Sequence, residues 1–522
     1  MDGAGLVVWI AGAVFFGLYA YLTVRQYRRF HVTAFDFAIF DQGLWLLGEL
    51  ETPFVTVRGL HLFADHSSYV LVPLAFVYRL WPRAEALIVL SVALLALGGP
   101  LSYWVSRRAG ASRLLAAVVG LGYLLTPAVA WNARDGFHPE IIVLPLVIAA
   151  FGLLLRDRDA WAIGAVVVAL TAKEDVALLV VPFGLWVAWQ LGKRRTGLAI
   201  AGLGFGAMAL SFFVLLPHFS PTGELLYSER YAQLGDGPAG VAIGLLTRPG
   251  VVLPALTDPW RVGYVAALVL PMPLCLLAPR ALLIAVPTVL ANVLSAHVYQ
   301  YDIRYHYTLY IVAAVVIAAA VGASRMTGRS ESTVRRAVGL SLVAAICFQL
   351  TIAPNPLGLS RRWAIENREN AEIEAALSMI PDDAVVSAWT TFVPHLSHRK
   401  TVYVFPNPWR RHNYGPLDAE MPEPGAVRWV IARTDVDPEY LEVLDQLRDS
   451  GEFVPVYESE EVVLMRRPSA VSSQSSTAST NSSGTSSIGT WPTSSKITAS
   501  QSGRSSSAHR AESIETSRSS AP

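Results

Sequence analysis

The residues able to do chemistry in this chain stand in five short clusters between long apolar runs. The first is Phe35-Asp36-Phe37-Ala38-Ile39-Phe40-Asp41-Gln42-Gly43-Leu44-Trp45, and Asp65-His66 follows it. Carboxylates set among aromatic residues near a membrane surface are costly unless hydrogen-bonded or used. Asp36 and Asp41 therefore fit either the wet face of an amphipathic interfacial helix or an acid that binds a ligand or takes a proton. In Trp131-Asn132-Ala133-Arg134-Asp135-Gly136-Phe137-His138-Pro139-Glu140 the proline suits a helix start and leaves His138 and Glu140 near its amino end. Such a pair can bind a metal, hold a phosphate, or simply hydrogen-bond within the structure. Lys173-Glu174-Asp175 is the densest charge in the apolar part, and ionisable groups at such a depth suggest function by default, against the alternative of a solvated turn. The last cluster is Tyr299, Tyr301, Asp302, Arg304, Tyr305, His306 and Tyr307. Arg304 suits a bidentate phosphate contact, and tyrosines such as Tyr305 suit packing on a sugar or lipid headgroup.

The elements that must position these clusters are transmembrane helices. Hydrophobic residues make up 53% of the 522, charged residues only 16%, and mean hydropathy is +0.42, beyond an ordinary soluble chain. Spans of about 20 apolar residues, fewer in short bundle helices, are expected near 5 to 24, 85 to 106, 114 to 131, 139 to 155, 160 to 172, 176 to 191, 197 to 217, 262 to 278, 281 to 296, 306 to 323 and 337 to 353. The first lacks a cationic leader and a small-residue cleavage site, so it is expected to be retained. Arg and Lys concentrate in alternate short connections: Arg107, Arg108 and Arg113; Arg156 and Arg158; Lys193 to Arg195; Arg280; and Arg325 to Arg336. By the positive-inside rule these are cytoplasmic, as is the amino terminus. Arg25, Arg28 and Arg29 alone argue the other way. Segments 25 to 84, 218 to 261 and everything after Ala353 then lie outside. Residues 69 to 81 are apolar but broken by Pro73, which suits an interfacial helix; if they span, the carboxyl-terminal region changes side.

Beyond Ser360 short apolar runs alternate with helical patterns. Strands are expected at 384 to 388, 401 to 405 and 429 to 432, helices at 370 to 379 and 439 to 449, and a closing hairpin from 453 to 465. This is a small α/β domain over residues 360–467. The Ser/Thr-rich tail, 468–522, is too poor in apolar residues to fold. Cys275 and Cys347 sit in apolar runs with no metal-ligand spacing, so no disulfide is expected. A net charge of +1 offers no field for nucleic acid.

The clusters together resemble the prokaryotic membrane family catalogued as domain of unknown function 2079, itself similar to the GT-C glycosyltransferases. The resemblance rests on Phe35-Asp36 through Trp45, Asp65-His66, Phe137-His138-Pro139-Glu140, Lys173-Glu174-Asp175 and Val393-Pro394-His395-Leu396-Ser397-His398-Arg399, and covers the chain to about Arg467. It implies a multi-pass, GT-C-like domain over 1–355, in the plasma membrane, that takes a polyprenyl-phosphate sugar as donor and transfers it with inversion to an extracytoplasmic acceptor. Asp36 is the position matching the catalytic base. Arg304, Lys173, Glu174, Asp175, His306 and Tyr305 are the candidates around the donor phosphate. No Asp-x-Asp or Glu-x-Asp pair stands beside Asp36, so metal dependence stays open; Mg²⁺ or Mn²⁺ held with Asp65, His66, His138 or Glu140 is the candidate. Two rival readings remain: a secondary transporter with Lys173, Glu174 and Asp175 as an ion relay, and a non-catalytic envelope or sensor protein. Against transport, the sequence shows no internal repeat and its clusters gather at one face.

Overall fold

The computed structural model describes residues 2–354, 369–417 and 419–468. The tail expected to be coil lies outside them. Every expected span is helical, but among the described residues only five helices are long and apolar enough to cross a bilayer: Gly3–Arg28, Ala84–Arg108, Arg194–Phe219, His306–Met326 and Glu331–Thr351. Two bent pairs would bring the number to seven: Arg113–Leu124 with Pro127–Asp135, bent by 42°, and Gly237–Thr247 with Pro249–Thr257, bent by 78°. The chain is thus a multi-pass membrane protein with fewer full-length spans than the eleven expected.

The shortfall has a physical cause. Glu140–Leu154 and Asp159–Leu170 have 15 and 12 residues. At 1.5 Å per residue each falls short of a ~30 Å hydrocarbon layer. Each stops where a polar cluster begins, at His138-Pro139 and at Lys173. The helices around the clusters are cut short to leave polar residues at one end of the bundle. The helix following His306 runs through its centre, with 83% of its most apolar window buried, whereas Glu331–Thr351 is peripheral at 11%.

Segment 218 to 261, expected as an outer loop, contains the sharply bent apolar pair. Ile243, Leu246 and Leu253 on it are exposed, so it presents an apolar face suited to lipid. Its prolines split it into runs too short to register as a span. Residues Leu71–Tyr78 form a helix of 8 residues, too short to cross, as expected.

Between residues 369 and 468 the helices and strands follow the sequence pattern. Helices occupy Glu369–Ser378 and Pro438–Asp449, and five strands form one mixed sheet. Val386–Ala388 pairs in parallel with Val402–Val404 and with Trp429–Arg433, and Val462–Arg466 runs antiparallel between Trp429–Arg433 and Val454–Glu458. The domain docks on the segment after the first helix. Asp41, fully buried, accepts hydrogen bonds from Tyr78 Oη at 2.5 Å and Ser397 Oγ at 2.5 Å, with His398 Nε2 at 3.2 Å. Gln42 donates to Thr56 and to the Arg399 carbonyl, and Thr56 donates to the Val402 carbonyl. Tyr27 stacks on His395, with ring centroids 4.2 Å apart. Asp41 is therefore not on a water-facing helix surface. Of the two cysteines, both free, Cys275 is buried and Cys347 is exposed.

Candidate functional site

The site begins where the first helix ends. After Arg28 the chain enters a π-helical turn, Ala34–Ala38, interrupted by Phe35 (φ −65°, ψ 137°) and Asp36 (φ 63°, ψ −67°). A non-glycine residue at positive φ costs roughly 1–3 kcal/mol and persists only where its surroundings impose it. Phe37 and Ala38, both buried, anchor the turn. The kink throws the Asp36 carboxylate out of helical register, leaving about a third of it exposed, with Oδ2 3.4 Å from His138 Nε2.

His138 is held by the turn before helix Glu140–Leu154. Gly136 adopts φ 91°, and a Cβ there would lie 2.8 Å from the Phe37 ring, so only glycine lets this turn meet the Asp36 turn so closely. The His138 ring stacks on His306 at 4.3 Å. His306 Nε2 lies 3.5 Å from Glu140 Oε1, and Glu140 accepts from Lys173 Nζ at 2.6 Å. Lys173 in turn lies 3.9 Å from Asp175, which accepts from Tyr310 Oη at 2.8 Å. Asp36, His138, Glu140, Lys173, Asp175 and His306 thus form one connected group.

A second group adjoins it. His66 Nδ1 is 2.9 Å from Glu174 Oε1, and the Ser67 amide donates to Glu174 Oε2 at 3.0 Å. Asp65 accepts from Tyr227 Oη and sits 4.0 Å from Arg58 Nε. Arg58 lies 5.9 Å over the Phe35 ring, next to Asp36, and Arg230 lies 4.0 Å over Tyr227. Every cluster singled out in the sequence reaches this region.

The electrostatics follow from burial set against partners. Burial would raise the Asp36 carboxyl, but His138 beside it, with further positive groups nearby, holds it below its ordinary range. Burial would lower His138, yet Asp36 and Asp135 push it up to about 9. Lys173 is desolvated, but Glu140 and then Asp175 keep it charged, well above its usual value. Glu174, buried against His66, is drawn down to about 2.

Two expectations change. Arg304 does not reach out as an open cation: it forms a bidentate pair with its neighbour Asp302, with Nη2 to Oδ2 at 2.7 Å, and its side chain is 45% exposed. Tyr305 lies beneath that pair rather than among the buried acids. The sequence reasoning missed Arg58, Tyr227, Arg230 and Asp135. Tyr227-Ser228-Glu229-Arg230-Tyr231 repeats the cation-and-tyrosine pattern of 299 to 307 and was the available signal. Arg58 had none, being a single arginine in the turn of a short hairpin, Phe54–Val55 with Leu60–His61.

The family described as "Predicted membrane protein (DUF2079)" matches residues 26–464. Among solved structures, ArnT from Cupriavidus metallidurans bound to undecaprenyl phosphate superposes with a TM-score of 0.51 at 14% identity, covering 90% of this chain and 99% of that one. The same protein in the apo state gives 0.48 at 15%, covering 88% and 97%. No curated protein matches the sequence. The fold is that of ArnT.

Proposed function

This chain belongs to the DUF2079 family of membrane proteins, and from that premise and the GT-C fold we propose that it is an inverting glycosyltransferase using a polyprenyl-phosphate sugar. The observation that carries the reading is Asp36: a reachable carboxylate on a strained turn, kept anionic, with the cation Arg58 over the neighbouring Phe35 ring. Undecaprenyl phosphate on the similar ArnT supports the lipid class.

In the proposed reaction the acceptor hydroxyl oxygen attacks the anomeric carbon. The bond from that carbon to the phosphate oxygen breaks, its electron pair leaves with the lipid phosphate, and the hydroxyl proton passes to Asp36. Attack opposite the leaving group inverts the anomeric centre. Arg58 is placed to receive the phosphate, since its Nε is buried without a hydrogen-bond partner among the described residues. Arg230 lies over Tyr227, which bonds to the Asp65 carboxylate near Arg58. Lys173 acts one step back, because Glu140 already takes its charge at 2.6 Å. The ion-relay reading of Lys173, Glu174 and Asp175 loses support for the same reason: Lys173 is tied to Glu140, Glu174 to His66 and Asp175 to Tyr310.

Purified protein offered radiolabelled polyprenyl-phosphate sugars is the test. Asp36→Asn should lose about 10²- to 10⁴-fold in turnover while still binding donor lipid. Unimpaired transfer by that variant overturns the assignment of the base.

A further inference from the structure

We propose that Asp36, His138 and His306 form a binding site for a divalent cation of the zinc class. One ligand atom from each lies within 4.8 Å of the others, a spacing that a single ion can bridge. The three come from separate parts of the chain: the turn after the first helix, the turn before Glu140–Leu154 and the start of the central helix.

A carboxylate and two imidazoles are by themselves an ordinary polar cluster; the second observation is what these rings lack. His138 is 1% exposed and His306 5%. Both ring nitrogens of His138 and Nδ1 of His306 have no hydrogen-bond partner among the described residues. Buried polar atoms are nearly always satisfied, so three orphaned ring nitrogens in two stacked rings mark a place for something else. Asp36 approaches His138 at 3.4 Å without hydrogen-bond alignment.

The surroundings favour a cation. Three carboxylates lie close to the two rings: Asp36 at 3.4 Å and Asp135 at 3.8 Å from His138, and Glu140 at 3.5 Å from His306. Lys173 pairs with Glu140, and Arg134 and Arg304 act on Asp135. Asp135 Oδ2 also has no hydrogen-bond partner among the described residues. A divalent ion here would meet the carboxylates on one side and an anionic lipid phosphate on the other.

The arrangement around His306 matches what a metal ligand needs. Metal-binding histidines donate their other ring N–H to a carboxylate, which fixes the ring. Glu140 stands at Nε2 of His306 and leaves Nδ1 for the ion, while Lys173 holds Glu140 in place. Glu140 and Lys173 are then supports for the site. Two imidazole donors select zinc or a similar transition ion over Mg²⁺, which prefers oxygen ligands. The ion's service to the donor phosphate rests on the glycosyl-transfer reading; its binding does not.

The test measures metal with no sugar lipid present. Full-length protein in detergent is stripped with chelator, titrated with Zn²⁺ or Co²⁺, desalted and analysed for bound metal, with visible absorption of Co²⁺ reporting nitrogen ligation. One ion per chain is expected, undisturbed by millimolar Mg²⁺. Glu140→Gln should weaken binding about 10-fold, and His138→Ala or His306→Ala by more than about 100-fold. His218→Ala, at an exposed histidine elsewhere, should bind as the parent does. Should the alanine variants fail to fold, His138→Gln and His306→Gln carry the same expectation. Substoichiometric binding by the parent, or undiminished binding by folded histidine variants, overturns the site. Full metal binding without sugar transfer leaves the site standing and counts against the glycosyltransferase reading.

Discussion

Asp36 and Asp41 stand five residues apart in one aromatic sequence and end in opposite situations. Asp36 keeps about a third of its side chain exposed beside His138, whereas Asp41 is sealed under Ser397 and His398 of the α/β domain. Replacing each by asparagine should separate chemistry from architecture. Asp36→Asn should keep the thermal midpoint near that of the parent and lose transfer. Asp41→Asn leaves the Tyr78 and Ser397 hydroxyls facing an amide in place of a carboxylate. Hydrogen bonds to a buried charge are worth about 1.5–3 kcal/mol each, so a loss on the order of 3 kcal/mol is expected. A lowered unfolding midpoint measures it, and an unchanged midpoint would refute the role of Asp41 as the anchor.

At the scale of elements, the site depends on turns approaching closely. Gly136→Ala would force both a strained φ and a contact of 2.8 Å with Phe37. It should displace His138 from Asp36, reducing transfer and metal affinity together, and an alanine variant that keeps both would show that the turns can move apart. The docking of Val393–Arg399 on the segment around Asp41 predicts a pH dependence. His398 faces Asp41 and the Tyr78 hydroxyl, stacks on Trp45, and has Glu85 as the other nearby acid. Burial would lower its proton affinity, but Asp41 outweighs that and raises it above 6.5. A group whose folded value is raised stabilises fully below its unfolded value and loses that contribution as pH rises through the folded one. The midpoint should therefore fall as pH rises above about 6.5, and His398→Gln should flatten this fall. An equal slope in both proteins would assign it elsewhere.

Over the whole molecule, ion pairs sort the helix ends. Arg28, at the end of the first helix, pairs with Glu85 at 3.1 Å on the side of the site and the outer domain. Asp2 pairs with Arg113 at 3.1 Å near Arg107, at the opposite ends of those two helices, and Lys193 pairs with Asp157 and Asp159 beyond the far end of Glu140–Leu154. The arginines after the first span, which disturb the positive-inside pattern, thus belong with the site end. The proposed orientation places that end outside the cell. With Cys275 and Cys347 replaced by alanine, single cysteines at the exposed positions Thr52 and Ser450 should react with an impermeant thiol reagent in intact cells, and one at Ser332 should not. The reverse pattern would invert the orientation.

Hydropathy and charge placement were enough to specify a helical membrane bundle, and alternation of short apolar runs was enough to specify the outer sheet, because both patterns depend on which solvent each residue meets. The chemistry-bearing clusters were legible for a related reason: polar residues inside apolar runs are expensive and stand out. Three things depended on tertiary structure. Helix lengths did, since Glu140–Leu154 and Asp159–Leu170 are cut off by the polar groups they help to hold. The roles of the cations did as well, since Arg304 meets Asp302 two residues away while Arg58, which no local pattern marks, arrives over the Phe35 ring through a hairpin. Finally, the meeting of Asp36, His138 and His306 joins residues 36, 138 and 306 of one chain, and sequence spacing holds no information on a distance that only packing sets.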